Sequence, residues 1–189
     1  MKTETEPEIV IEPMATRVAL HPFFIGMNQH ELAMLTDCAM AVHFEPGQMI
    51  LREGEFANRF YVIETGKVVL ESGAGLGEPV VIETISAGDL VGWSWMFPPY
   101  VWHFSARAVE PTEAIFFYGT ILRESCERDH SLGYELLKRM SAVMIKRLQA
   151  ARDKMFALHK QETSLQSVVV ESPFMDQELD TCPSSDKVC

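Results

Sequence analysis

No run of apolar residues in this 189-residue chain reaches the roughly 18 to 20 needed to cross a bilayer. The start, MKTETEPEIVIEP, is acidic where a secretory leader would be basic. Both absences set the expectation of a cytoplasmic protein with no membrane span. Basic residues are few: 16 Lys and Arg stand against 27 Asp and Glu, a formal net charge of −11 that repels phosphate backbones. Direct DNA binding is therefore not expected. Cysteine is scarce as well, and Cys38, Cys126, Cys182 and Cys189 form no CxxC pair. That argues against a zinc knuckle, an iron–sulfur cluster or a dense disulfide framework and leaves ordinary reduced thiols. Cys126 and His130, four apart on an expected helix, lack a third ligand, so no metal is expected. The chain also lacks G-x-x-x-x-G-K-[ST], H-E-x-x-H and G-x-S-x-G. His43, His103, Glu53 and Glu83 are too scattered to support a metal-dependent jelly-roll enzyme, which stands as the weakest alternative to a non-catalytic role.

What is present has globular proportions, 47% hydrophobic and 23% charged residues. Residues 1–16, with four Glu and two Pro, read as a flexible acidic arm. From His21, Phe24, Met27, Leu32, Leu35 and Ala39 approach helical spacing, with Asn28 as N-cap and Glu31 three residues on. After Phe44, short apolar runs alternate with turn signals: MIL, FYVI, KVVLES, VVIETI, ARAV and AIFFYG, broken by Pro46-Gly47, Gly54, Gly66, GAGLG at 73–77 and Gly88-Asp89. Strands at this spacing predict a β-sandwich or jelly roll. The glycines of GAGLG fall two apart with no helix behind them, which predicts a hairpin turn and not a dinucleotide loop.

The period changes again at residues 121–158, expected as one long helix. Leu137, Met140, Met144, Leu148, Ala151 and Met155 recur at spacings of three and four, a seam suited to a homodimer. The basic flank, Lys138, Arg139, Lys146, Arg147, Arg152 and Lys154, reads as a solvated face. Residues 159–189, acidic and without period, read as a flexible tail, and the folded domain spans 17–158.

The ordered pieces Phe44-x-x-Gly47-x-x-Ile50, Glu53-Gly54, Tyr61-x-Ile63-x-x-Gly66-x-Val68, Gly88-Asp89 and Ala106-x-Ala108-Val109-Glu110 resemble the cyclic-nucleotide-binding domain of the catabolite-activator (Crp/Fnr) type of regulators. The resemblance covers roughly residues 20 to 155. It implies a mainly β fold with helices: a β-jelly-roll, a phosphate-binding cassette between two late strands, and a long C-terminal helix that lids the pocket and dimerises. The helix-turn-helix module of those regulators has no counterpart after Leu158.

In the family the cassette supplies a Glu for the ribose hydroxyl and an Arg for the cyclic phosphate. Here Gly92 keeps the turn, but the resemblance places Trp93 where the Glu belongs and Trp102 where the Arg belongs, with Ser105 retained. An indole has one N–H donor and an apolar face, so it can neither accept a ribose proton nor neutralise a phosphate. Arg107 lies on the opposite strand face from Trp102 and His103 is only partly charged near neutral pH. The expected effector-binding residues are Gly92, Trp93, Ser94, Trp95, Trp102, His103 and Ser105. Three readings stay open: the indoles fill the old cavity, they line a pocket for a more apolar small-molecule effector, or they face a protein partner. A cyclic-nucleotide sensor using cassette amides, Ser105 and Arg107 or Arg123 is the alternative. No cofactor is assigned beyond such an effector.

Overall fold

Asn28 starts the first sizeable helix as its sequence foretells. The Asn28 side chain accepts from the Glu31 N–H at 2.9 Å, while the Glu31 carboxylate accepts from the Asn28 N–H at 3.0 Å, a complete capping box. This computed structural model describes residues 12–73 and 77–170, with side chains through 161. Helix α1 spans Met14–Leu20, a 3₁₀ turn covers Pro22–Phe24, and α2 spans Gln29–Thr36. The acidic arm therefore gives way to helix at Met14, three residues inside its expected boundary; residues 1–11 lie outside the described residues.

Eight strands follow: β1 Ala39–Phe44, β2 Met49–Leu51, β3 Arg59–Thr65, β4 Lys67–Ser72, β5 Val80–Ser86, β6 Leu90–Val91, β7 Ser105–Ala108 and β8 Thr112–Tyr118. They form two four-stranded antiparallel sheets, ordered β1-β8-β3-β6 and β2-β7-β4-β5. This is the expected jelly roll. Every apolar run named from the sequence became a strand. Ala39 is a correction, since it opens β1 instead of closing a helical pattern; AMAVHF alternates and pairs in register with β8 from Ala39↔Phe117 to Phe44↔Thr112. β4 and β5 pair as a hairpin across the glycine-rich turn, of which residues 74–76 lie outside the described residues.

Phe60, Val62, Ile63, Ile115 and Phe117 from the central β3–β8 pair are fully buried, as are Phe24 and Leu35 from the N-terminal helical segment. At roughly 1.5–3 kcal/mol for each fully buried large side chain, this pair and the helices against it dominate the stability of the domain. The first of two compact units ends at Ala142.

The single helix expected over 121–158 is two. Helix α3, Gly119–Arg128, stops at Asp129, whose backbone is extended and whose Oδ1 accepts from the Ser131 and Leu132 N–H groups at 2.9 and 3.2 Å. These contacts, with the His30 ring, hold the Asp129 carboxyl below its ordinary pKa. Asp129 thus caps α4, which runs from His130 to Val170 and so overlaps twelve residues of the expected flexible tail. Residues 171–189 lie outside the described residues.

The seam also divides. Met140 is fully buried with Leu132 and Leu136 in the first unit, which removes it from any exposed contact. In the second unit, from Val143 onward, Met144 is half-buried, whereas Leu148 is 72% and Met155 71% exposed, with Ala151, Ile145, Phe156 and Leu158 exposed beside them. Part of the basic flank is paired on its own helix: Lys138 and Arg139 meet Glu135, and Arg152 meets Asp153.

Candidate functional site: the aromatic cassette

The chain leaves β6 at Val91 and reverses at Gly92, whose φ of 91° is the left-handed conformation open to glycine. A Cβ there would stand 3.1 Å from Trp102 Cζ3 and 3.2 Å from Leu51 Cδ1, so the turn and the close packing both call for glycine. One 3₁₀ turn, Trp93–Met96, follows, then a bend through the cis Pro98–Pro99 bond to Tyr100. The return leg is stitched to residues 54–57. Tyr100 O accepts from the Ala57 N–H at 2.7 Å, the Trp102 N–H donates to Glu55 O at 2.9 Å, and Trp102 O accepts from the Gly54 N–H at 2.9 Å. Phe56 and Val101 bridge between them. That pairing turns Trp102 inward.

The three indoles do different things. Trp95 is fully buried, its ring parallel to Phe60 at 5.3 Å, and Phe60 is in turn parallel to Phe117 at 4.7 Å. Trp102 is 3% exposed, against Gly92 and Leu51. Neither Nε1 has a hydrogen-bond partner. Trp93 remains half-buried and stacks on the exposed His103 ring at 5.8 Å and 12°. Ser94 Oγ lies 3.0 Å from His103 Nδ1, a cross-link between the outgoing and returning halves of the loop. Stacked aromatic pairs contribute about 0.5–1.5 kcal/mol beyond area burial, so the loop is held closed by several modest terms acting together.

The cations near the loop are already engaged. Arg107 contacts the buried Glu71 carboxylate through Nε and Nη2, at 3.1 and 2.7 Å, and Gly47 O through Nη1. Arg123, one turn into α3, donates to Trp95 O and lies 4.3 Å over the Tyr100 ring. Tyr100 holds a φ of 58°, uncommon for a side chain of its size, and the guanidinium above it helps retain that conformation. Ser105 faces away from the indoles: its Oγ accepts from the Glu53 N–H at 3.0 Å, and Glu53 Oε2 accepts from Ser72 Oγ.

Gly92 and Trp102 therefore meet, as do Trp93, Ser94 and His103, while Trp95 points to the sheet and Ser105 bonds to Glu53, just beyond β2. The partners that sequence reading missed are Phe60 and Gly119, while Arg123, named there only as an alternative nucleotide contact, donates to Trp95 O. A Cβ on Gly119 would come 2.9 Å from Trp95 Cβ and 3.1 Å from Asn58 C. Only the glycine itself, at the start of a helical run, hinted at that approach.

Elsewhere, burial pushes the Cys38 thiol up to about 12 and the Cys126 thiol up to about 11, so both stay protonated. Cys182 and Cys189 lie outside the described residues. Among the described residues no three His, Cys, Asp or Glu side chains converge as a metal site, Cys126 and His130 included, and no helix is long and apolar enough to cross a membrane.

Residues 41–129 match the family model described as the cyclic nucleotide-binding domain. The human cGMP-dependent protein kinase 2 is 32% identical over 68 residues, 35% of this chain and 9% of the kinase. A cAMP-dependent protein kinase regulatory subunit of Schizosaccharomyces pombe is 28% identical over 38% of this chain and 16% of its own length. The chain thus spans only a small part of the curated relatives it matches. Among solved structures, a cyclic nucleotide-binding domain from Methylobacillus flagellatus superposes with a TM-score of 0.63 at 19% identity, over 76% of this chain and 79% of that one. The Thermus thermophilus catabolite activator protein gives 0.58 at 21% identity, over 73% and 63%. Residues 41–129, with strands and cassette in the order the resemblance implies, thus match the cyclic nucleotide-binding domain family.

Proposed function

We propose that this protein is a non-catalytic regulatory module whose cassette is filled by its own indoles and does not recognise cyclic AMP or cyclic GMP in the family manner. One observation carries the reading: Trp95 and Trp102 are buried within the cassette, and Trp93 and Trp102 stand where the resemblance places the carboxylate and the guanidinium. The engagement of Arg107 with Glu71 and of Arg123 with Trp95 O and Tyr100 leaves both away from a substitute role. Losing a buried charge-assisted contact costs on the order of 2–5 kcal/mol, from about thirtyfold to several thousandfold in affinity. The names of the kinase relatives point to cyclic nucleotides, whereas Trp93 and Trp102 stand where the resemblance implies a Glu and an Arg.

The half-buried Trp93–His103 stack, with Ser94 behind it, supplies the one mixed apolar and polar contact the loop offers outward. It suits a small apolar effector or a side chain of a protein partner. The exposed apolar residues of α4 beyond Val143 support a homodimer, and the free Cys38 and Cys126 suit a reducing, cytoplasmic setting. Isothermal titration of the purified chain with cyclic AMP and cyclic GMP tests the reading. We expect no binding tighter than millimolar for either; a micromolar dissociation constant for one of them overturns it.

A further inference from the structure

Arg59, the first residue of β3, carries a charge that its surroundings do not answer. Among the described residues Arg17, Arg107, Arg139 and Arg152 each lie within 4 Å of a carboxylate. Arg59 does not. It is half-buried, its Nη1 donates to the neutral Asn58 Oδ1 at 3.3 Å, and its Nε is buried with no acceptor. Among the described residues no carboxylate lies within 4 Å of this guanidinium. A buried donor left unmade costs about 1–3 kcal/mol, more where the group is charged, so its retention calls for a reason.

The neighbours of Arg59 supply one. Alternation along β3 puts Arg59 and Tyr61 on one face and Phe60, the platform under Trp95, on the other. The β3–β8 register sets Arg59 opposite Tyr118 and Tyr61 opposite Phe116. Tyr61, Phe116 and Tyr118 stand edge to face, with centroids 5.5 and 4.5 Å apart. The row is covered at the Tyr61 end and opens to solvent at Tyr118, which is 44% exposed. The Tyr61 hydroxyl interacts with the Arg59 guanidinium, which counters part of the upward pull of burial on that phenol. Helix α3 begins directly after Tyr118 with no side-chain cap and no acidic residue in its first turn, so the positive end of its dipole reinforces the same field.

We propose that Arg59, Tyr61 and Tyr118 form a subsite for the carboxylate or phosphate group of a small aromatic anion, whose ring packs along the Phe116–Tyr118 row. A guanidinium fork suits a two-oxygen anion, and the edge-to-face row suits a flat ring. The subsite lies on the opposite strand face from the indoles and is independent of how the cassette is read.

Nitrogen-15 NMR of the full chain tests this, following the arginine Nε–Hε signals, assigned by triple resonance, while sodium benzoate, phenyl phosphate or acetate replaces chloride at constant ionic strength. The Arg59 signal should shift saturably with benzoate or phenyl phosphate, about tenfold tighter than with acetate, the increment expected of one aromatic contact. The tighter of the two aromatic anions identifies carboxylate or phosphate. Arg59→Gln should abolish the response. Should that variant fail to fold, Tyr118→Ala, a change at the exposed end, should bring benzoate affinity down to that of acetate. No saturable shift with either aromatic anion, equal affinity for acetate, or retained binding in Arg59→Gln overturns the proposal.

Discussion

At the scale of single residues, Trp95 is the side chain on which the cassette turns, because it joins the loop to the β3–β8 core through Phe60 and to α3 through Gly119 and Arg123. Trp95→Ala should destabilise the domain by about 3–5 kcal/mol, as expected for truncating a fully buried aromatic, measurable by urea unfolding. Gly119→Ala should cost about 1–3 kcal/mol, since the added methyl overlaps Trp95 and Asn58 at the rigid junction of a strand and a helix. A Gly119→Ala variant as stable as wild type would mean that the junction gives way easily. The sequence displays the indole cluster plainly, because three Trp in ten residues need no partner to be noticed. It does not display Phe60 or Arg123 as neighbours of Trp95, because contacts 35 and 28 residues apart leave no local period. Arg59 is invisible for a related reason: an arginine becomes informative only when its counter-charge is found to be missing.

At the scale of elements, the N-terminal helical segment is fastened to β3 by groups whose protonation matters. The Phe23 N–H donates to His21 Nδ1 at 3.2 Å, which leaves Nε2 to carry the proton donated to Ile63 O at 3.1 Å, and the buried ring accommodates only the neutral form. Burial lowers the His21 pKa, against the opposing pull of the Ile63 carbonyl, Glu64 and Asp89. A folded pKa below the unfolded value means that the unfolded chain binds the extra proton more readily. The stabilisation is therefore fully present above about pH 6.5 and declines as pH falls below it. His21→Gln should flatten the loss of stability between pH 7.5 and 5.5 relative to wild type, and an identical pH slope in the two proteins would exclude His21 as its source. Strands were legible element by element, because runs such as FYVI and KVVLES are bounded by glycine. The break between α3 and α4 was not, because the polar run RESCERDHS at 123–131 carries no helix stop such as Gly or Pro and Asp129 acts through a cap that periodicity does not register.

At the scale of the molecule, the first unit is self-sufficient in its core, and the apolar residues of α4 beyond Val143 are not covered within the described chain. Leu148→Glu should convert a dimer to a monomer in light scattering while leaving the unfolding midpoint of the first unit unchanged; a dimeric variant would place the contact elsewhere. The seam was recognised from the sequence as a whole, but its division was not. Met140 and Leu148 share a helical face by spacing alone, yet Met140 is internal to the first unit and Leu148, in the second, is exposed.

The confinement of all three tryptophans to one loop has a practical side. Ultraviolet emission excited through indole comes from the cassette alone, with Trp93 against a titratable imidazole and Trp95 and Trp102 shielded from water. Unlabelled protein thus carries its own optical gauge at the candidate site: a ligand or partner that parts Trp93 from His103, or admits solvent to the other two, changes the spectrum without any dye being attached.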